Sequence, residues 1–158
     1  MTEQDKPKFI SFERAVIKAQ KYCAYQERSQ QEVRDKLYDW GLHRNEVEQL
    51  IADLISDSFL KEERFAQAFA QGKFRIKKWG RLKIEQALKQ KKISEPLIKQ
   101  AIRHLDDREY RNELEKLIRK RMLVHRDENP YMQNAKTAAY VIRKGYEPEL
   151  VWEILRNE

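Results

Sequence analysis

Cysteine is almost missing from this chain. Cys23 stands alone among 158 residues, so no internal disulfide can form, which fits a reducing cytoplasm. Glycine and proline are scarce as well, with four of each. So few breakers, set among many Lys, Glu, Gln, Leu and Ala, argue against a turn-rich β protein and for an all-α one. No apolar run approaches the roughly 20 residues that span a bilayer, so no membrane role is expected. Met1–Lys8 is polar and has no apolar stretch of the kind a secretory leader needs; residues 1–10 are read as a disordered lead-in. Catalytic motifs are lacking too. There is no phosphate-binding Gly-x-x-x-x-Gly-Lys loop and no His-Glu-x-x-His zinc pair. His43, His104 and His125 are far apart in sequence, each without a second ligand at metal spacing. An enzyme is not expected, and neither is a metal or cofactor.

What the chain has in excess is charge, 37% of its residues, with a net +7. An apolar content of 41% is still enough for a core. The positive charge is concentrated. From Gly72 to Lys92 the cations Lys73, Arg75, Lys77, Lys78, Arg81, Lys83, Lys89, Lys91 and Lys92 face Glu85 alone, a net +8, which leaves −1 for the rest of the chain. Such asymmetry points to a polyanion or an acidic protein surface. If Trp79-Gly80 is a turn, the charges ring a helix–helix corner, and Trp79 or Phe74 could stack on a base or simply pack. The plainer reading is a solvated face whose lysine stems cover apolar surface. A second cluster, Arg119, Lys120 and Arg121 with Arg143 and Lys144, is diluted by Glu113, Glu115, Asp127 and Glu128. Exposed helix faces with paired charges account for it better.

Helical spacing of apolar residues marks the elements. Phe12, Ala15, Val16, Ala19, Tyr22 and Cys23 form one stripe, with Cys23 read as a small buried hydrophobe. Ser29-Gln30-Gln31-Glu32 is a capping box opening a second helix, which Gly41 stops. Asn45 is the expected cap of a third. Leu82, Ile84, Ala87 and Leu88 form a face in the basic segment, and Trp40 and Trp152 are expected in the core. Asn129-Pro130 and Glu147-Pro148 each read as a cap followed by proline at the first helical position.

The pattern repeats. Gly41-Leu42, Lys92-Ile93 and Gly145-Tyr146 line up at intervals of about fifty residues. Four residues before each stand Leu37, Leu88 and Val141, and six after stand Val47, Ile98 and Val151. A longer helix is expected ahead of each pair, at 12–25, 62–75 and 108–126. The organisation expected is three tandem three-helix repeats, 11–60, 61–105 and 106–158, forming an elongated, curved molecule.

These residues resemble a known family. Tyr22, Arg28-Ser29, Glu32-Val33, Lys36-Leu37 and Gly41 resemble the opening signature of RecX, the regulator of the RecA recombinase. Arg64-Phe65-Ala66 with Phe69, then Lys77, Gly80, Ile84 and Leu88, is similar to its second signature. Arg143-Lys144-Gly145-Tyr146 with Val151 looks like its third. The family often has glycine where Lys92 stands, and more acidic residues around Lys61-Glu62-Glu63. The resemblance implies a cytoplasmic, monomeric, non-enzymatic regulator acting in DNA repair, homologous recombination and the SOS response. Such a protein binds in the groove of the RecA filament on single-stranded DNA. It inhibits filament extension, ATP hydrolysis, strand exchange and coprotease activity. The nine cations of the middle segment would then face RecA or the DNA phosphate backbone. The alternatives are a small helical protein acting directly on DNA or RNA, and an adaptor for another acidic protein.

Overall fold

The computed structural model describes residues 10–157, and the expected lead-in lies outside them except for Ile10. Among the described residues all regular structure is α-helical. The order is α1 (Phe12–Tyr25), α2 (Gln30–Asp39), α3 (Arg44–Ser56), α4 (Glu62–Lys77), α5 (Arg81–Gln90), α6 (Glu95–Arg103), α7 (Asp107–Val124), α8 (Pro130–Arg143) and α9 (Pro148–Arg156). None of these helices is long and apolar enough to cross a membrane.

Local chemistry sets the helix boundaries. The Glu32 N–H donates to Ser29 Oγ at 3.1 Å, and the Ser29 N–H donates to the Glu32 carboxylate at 3.4 Å, closing the capping box of α2. The Asp106 and Asn129 side chains each accept a backbone N–H at 2.8 Å at the starts of α7 and α8. Asn45 does not cap α3. Leu42 is buried directly after the Gly41 turn, so the chain reaches its extended cap residue at His43. The His43 N–H then donates to the Glu46 carboxylate at 3.1 Å, and Asn45 falls inside the first turn.

The fifty-residue register is a register of packing. Leu37, Leu88, Val141, Val47, Ile98 and Val151 are all buried. At each pivot the backbone turns left-handed, with φ of 87° at Gly41, 63° at Lys92 and 105° at Gly145. In the first and third turns the residue after the pivot donates back across the turn, Leu42 to the Leu37 carbonyl at 3.2 Å and Tyr146 to the Val141 carbonyl at 3.3 Å. The middle turn forms without glycine, and Lys92 bears the steric cost, about 1–2 kcal/mol for an L-residue in this region.

The described chain falls into two compact units. The first runs to Ala66 and takes in Lys91–Ile93; the second holds Gln67–Gln90 and the described residues from Ser94 on. The division falls inside α4. In the first unit α1 packs on both α2 and α3 around Ala15, Ala19, Val33, Leu37 and Leu50. Cys23 lies in this core, where burial raises its thiol pKa. In the second unit α7 packs on α8 and α9, and α5 on α6. Two expected core residues are exposed, Leu82 at 45% and Trp152 at 39%. The buried stripe of α9 is Val151, Ile154 and Leu155, which turns Trp152 to the other side. Ile84 and Leu88 alone fill the buried stripe of α5. Trp40 is half-buried, with Lys18 Nζ 4.5 Å from its ring centre.

Because Lys92 is strained where glycine would not be, Lys92→Gly should stabilise the protein by about 0.5–1 kcal/mol, net of the extra freedom of the unfolded chain. Reversible chemical denaturation would register this, and an unchanged or lower midpoint would contradict it.

Candidate polyanion-binding surface

The basic segment is organised by the turn between α4 and α5. Lys78 takes a left-handed conformation (φ 60°), and the Trp79 N–H bonds back to the Lys73 carbonyl at 3.1 Å. The first amides of a helix have no partner within it. At α5 they find partners in tertiary structure. The Gly80 N–H donates to the Lys144 carbonyl at 2.8 Å, and the Leu82 N–H to the Gly145 carbonyl at 2.9 Å. The Arg81 N–H donates to the Tyr110 hydroxyl at 3.0 Å. The two turns meet backbone to backbone. A Cβ on Gly80 would lie 2.3 Å from the Gly145 carbonyl carbon, and one on Gly145 would lie 2.4 Å from Lys83 Cβ.

A closed polar ring locks this contact. The Tyr110 hydroxyl, which accepts from the Arg81 amide, donates to Glu147 Oε1. Glu147 Oε2 accepts from Arg81 Nη1 at 2.8 Å, and Arg81 Nη2 reaches Asp107 at 2.8 Å. The Arg81 guanidinium lies 3.8 Å from the Tyr110 ring centre. Tyr146 packs 5.1 Å from Tyr110, centre to centre, and donates its hydroxyl to the Lys78 carbonyl at 3.1 Å. Burial, first of all, pushes both phenols far above their ordinary range, so they remain neutral donors. Phe74, buried 5.7 Å from Tyr110, belongs to this core and stacks on nothing outside it.

The nine cations therefore have different environments. Arg81 is drawn inward, and its charge is met by Asp107 and Glu147. Arg75 and Lys78 form longer pairs with Glu109 at 3.4 Å and Glu113 at 3.5 Å. Lys77, Lys83 and Lys89 are exposed, and none has an ion pair among the described residues. Lys73 and Lys83 sit 5.0 and 4.6 Å from the ring centre of the half-buried Trp79. Glu85, the acidic residue of the segment, is half-buried, and its carboxyl pKa is raised by burial and then by Glu147 and Glu95. Lys91 and Lys92 belong to the first unit. There Lys91 pairs with Glu32 at 3.0 Å, while Lys92 is exposed at its turn.

The second cluster also divides. Arg119 and Lys120 are exposed on α7, and Arg143 at the end of α8. The Arg121 guanidinium lies 4.0 Å from the Tyr140 ring centre, and Lys144 Nζ 5.7 Å from it. Helical spacing also puts Tyr110 in one apolar stripe with Leu114, Leu117, Ile118 and Met122; that pattern and the cap reading of Glu147 do not reveal that Tyr110 and Glu147 meet. A tyrosine in an otherwise aliphatic stripe was the available signal, since a buried hydroxyl needs a partner.

Family models agree with this architecture. One described as the first three-helix domain of RecX matches residues 15–54, and one described as its second three-helix domain matches residues 62–102, together just over half of the chain. The chain belongs to the RecX family. A regulatory protein RecX from Clostridium perfringens (strain 13) is 26% identical over 132 residues, 82% of this chain and 61% of that protein. This chain thus spans less than two thirds of that relative's length. A regulatory protein RecX from Thermotoga petrophila is 28% identical over 140 residues, 88% of this chain and 81% of that protein. The crystal structure of RecX from Lactobacillus salivarius superimposes with a TM-score of 0.84 at 19% identity, covering 92% of this chain and 95% of the other. At that identity it supports the fold of this RecX-family chain.

Two predictions follow from the turn contact. Gly145→Ala should cost about 1–3 kcal/mol in backbone strain, with overpacking against Lys83 added. Gly72→Ala, in open space within α4, should instead gain about 0.5–1 kcal/mol. Equal effects in thermal melts would show that the turn contact is not tight. Glu147→Gln removes the charge from the ring and should cost about 1.5–3 kcal/mol. A denaturation midpoint within error of the parent chain would remove the ring from its structural role.

Proposed function

We propose that this chain is a non-enzymatic regulator of RecA, built of three three-helix modules (11–60, 61–105 and 106–158). In this reading it binds the RecA filament on single-stranded DNA and inhibits filament extension, ATP hydrolysis, strand exchange and coprotease activity. It acts as a monomer in the cytoplasm, within recombination, repair and the SOS response. The observation that carries the reading is the α4–α5 corner on a RecX scaffold. Lys73, Lys77, Lys83 and Lys89 carry charge there without an ion pair among the described residues. Arg75 can exchange the exposed carboxylate of Glu109 for a phosphate or an acidic RecA side chain at little cost, and Lys78 can do so against the half-buried Glu113. Arg81 positions the corner from within. Lys91 and Lys92 of the first unit, and Arg143 and Lys144 at the end of α8, are further candidate contacts.

The experiment is the ATPase rate of RecA on single-stranded DNA with this protein titrated in below one copy per RecA. The parent chain should lower the rate. A chain carrying Lys77→Glu, Lys83→Glu and Lys89→Glu should lose at least about tenfold in potency, as expected when several phosphate or carboxylate contacts are reversed. Its circular dichroism should be unchanged, because these side chains are exposed. Full inhibition by the triple variant would sink the assignment of the surface. No effect of the parent on RecA, with tight and salt-steep binding to naked DNA, would favour the direct nucleic-acid-binding reading.

A further inference from the structure

α7 carries a second surface, different in kind from the α4–α5 corner. Its inward stripe is Tyr110, Leu114 and Ile118. On the outer side, Glu113, Lys116, Leu117, Lys120 and Leu123 line a groove of about 410 Å³ together with Lys78. This lies within the range of roughly 300–1,000 Å³ found for binding pockets. Leu117 and Lys120 also line a neighbouring hollow of about 260 Å³ with Arg121, Val124 and Tyr140. The surface therefore continues across the C-terminal half of the helix. From Glu113 to Val124 it is about 16 Å long, three turns of helix.

Two features of this surface are unusual for a solvated helix face. Leu123 and Val124 are 65% and 62% exposed, side by side at the end of the groove. Around them Lys116, Arg119, Lys120 and Arg121 form no ion pair among the described residues. Arg121 Nε is also buried without a hydrogen-bond acceptor. The carboxylate on the groove wall, Glu113, is already committed to Lys78 at 3.5 Å.

We infer that this face of α7 is a docking groove for an acidic amphipathic helix of a partner protein. Aliphatic side chains of that helix seat on Leu117, Leu123 and Val124, and its carboxylates meet Lys116, Arg119, Lys120 and Arg121. Charge complementarity selects the occupant. A carboxylate can pair with the planar guanidinium of Arg121 in a bidentate way, and apolar anchors at helical spacing match the groove length. Nucleic acid fits less well. The groove floor is aliphatic, and its aromatic neighbour Tyr140 is covered by Arg121, so no ring is open for a base to stack on. The inference does not depend on the RecA reading, and its test contains neither RecA nor DNA at the selection step.

The test is a peptide-display library of short random sequences selected on the full chain, with the winners remade as synthetic fluorescent peptides. Enriched peptides should be acidic, with apolar residues three and four apart. Their affinity should fall at least about tenfold in a chain carrying Lys116→Glu and Lys120→Glu, and again with Leu123→Ser, the mark of a contact that uses both charge and apolar burial. All three residues are exposed or at the groove edge, so thermal melts of the variants should match the parent. Enrichment of peptides without acidic or without apolar residues would overturn the proposal. So would equal binding to the variants, or no enrichment. Displacement of the peptide by a single-stranded oligonucleotide whose own binding is weakened by Leu123→Ser would also overturn it, assigning the groove to nucleic acid.

Discussion

The second unit depends on one arrangement, the closed ring of Arg81, Tyr110 and Glu147 beneath the touching turns at Gly80 and Gly145. Helix α5 has no side-chain cap at its start, because Gly80 has no side chain to offer. Its leading amides are instead taken by two carbonyls of the α8–α9 turn and by a tyrosine hydroxyl from α7. That ties α5 to the α8–α9 turn through backbone groups, which cannot be swapped by mutation, and adds α7 through the Tyr110 side chain. It also explains the glycines. A β-carbon on either would sit within 2.4 Å of the opposite segment, so the close approach and the hydrogen bonds stand or fall together. The ring closes over this contact with buried, neutral phenols whose proton positions are fixed by their partners.

Much of the fold was legible in the sequence because its signals are local. The capping box at Ser29, the cap at Asn129, and the prolines that follow Asn129 and Glu147 act within one helical turn. The buried positions around Gly41, Lys92 and Gly145 recur because each helix pair must close over the same kind of apolar face. The failures were of two kinds. Asn45 lost its cap role to His43 because Leu42, one residue past the glycine, is buried and fixes where the helix begins. Trp152 was read into the stripe of its helix, yet it stands one residue from the stripe that packs, Val151, Ile154 and Leu155. In a helix one residue is a rotation of about 100°, enough to carry a side chain from core to solvent.

The candidate site was legible as a quantity of charge and not as a geometry. The count from Lys73 to Lys92 treats nine cations as equivalent, and the fold does not. Arg81 at 22% side-chain exposure is held by two carboxylates and a ring face. Lys91 is paired within the first unit. The partners that sort them, Glu32, Asp107, Glu109, Glu113 and Glu147, lie outside the basic segment. A window sum over that segment cannot find them. Tertiary ion pairs join residues that are distant in sequence, so the sign of a patch is readable in advance and its contact residues are not.

The pairs that remain at the surface do not remove the corner's charge from function. An exposed ion pair contributes about 0.2–1 kcal/mol, so Arg75 at 60% and Lys78 at 43% side-chain exposure can trade an intramolecular carboxylate for one on a partner, or for a phosphate. This sets a graded order of engagement. On the proposed reading Lys77, Lys83 and Lys89, exposed and without an ion pair among the described residues, would act first at distance and steer association within about 10 Å at moderate salt. Arg75 and Lys78 follow only when a ligand is close enough to replace their partners. Arg81 would not follow, because withdrawing its guanidinium would leave the half-buried Glu147 carboxylate without its charged partner, a cost of about 1.5–3 kcal/mol for a charged hydrogen bond. Cations fewer than twenty positions apart thus differ in what they are free to do, and the depth of each side chain decides it.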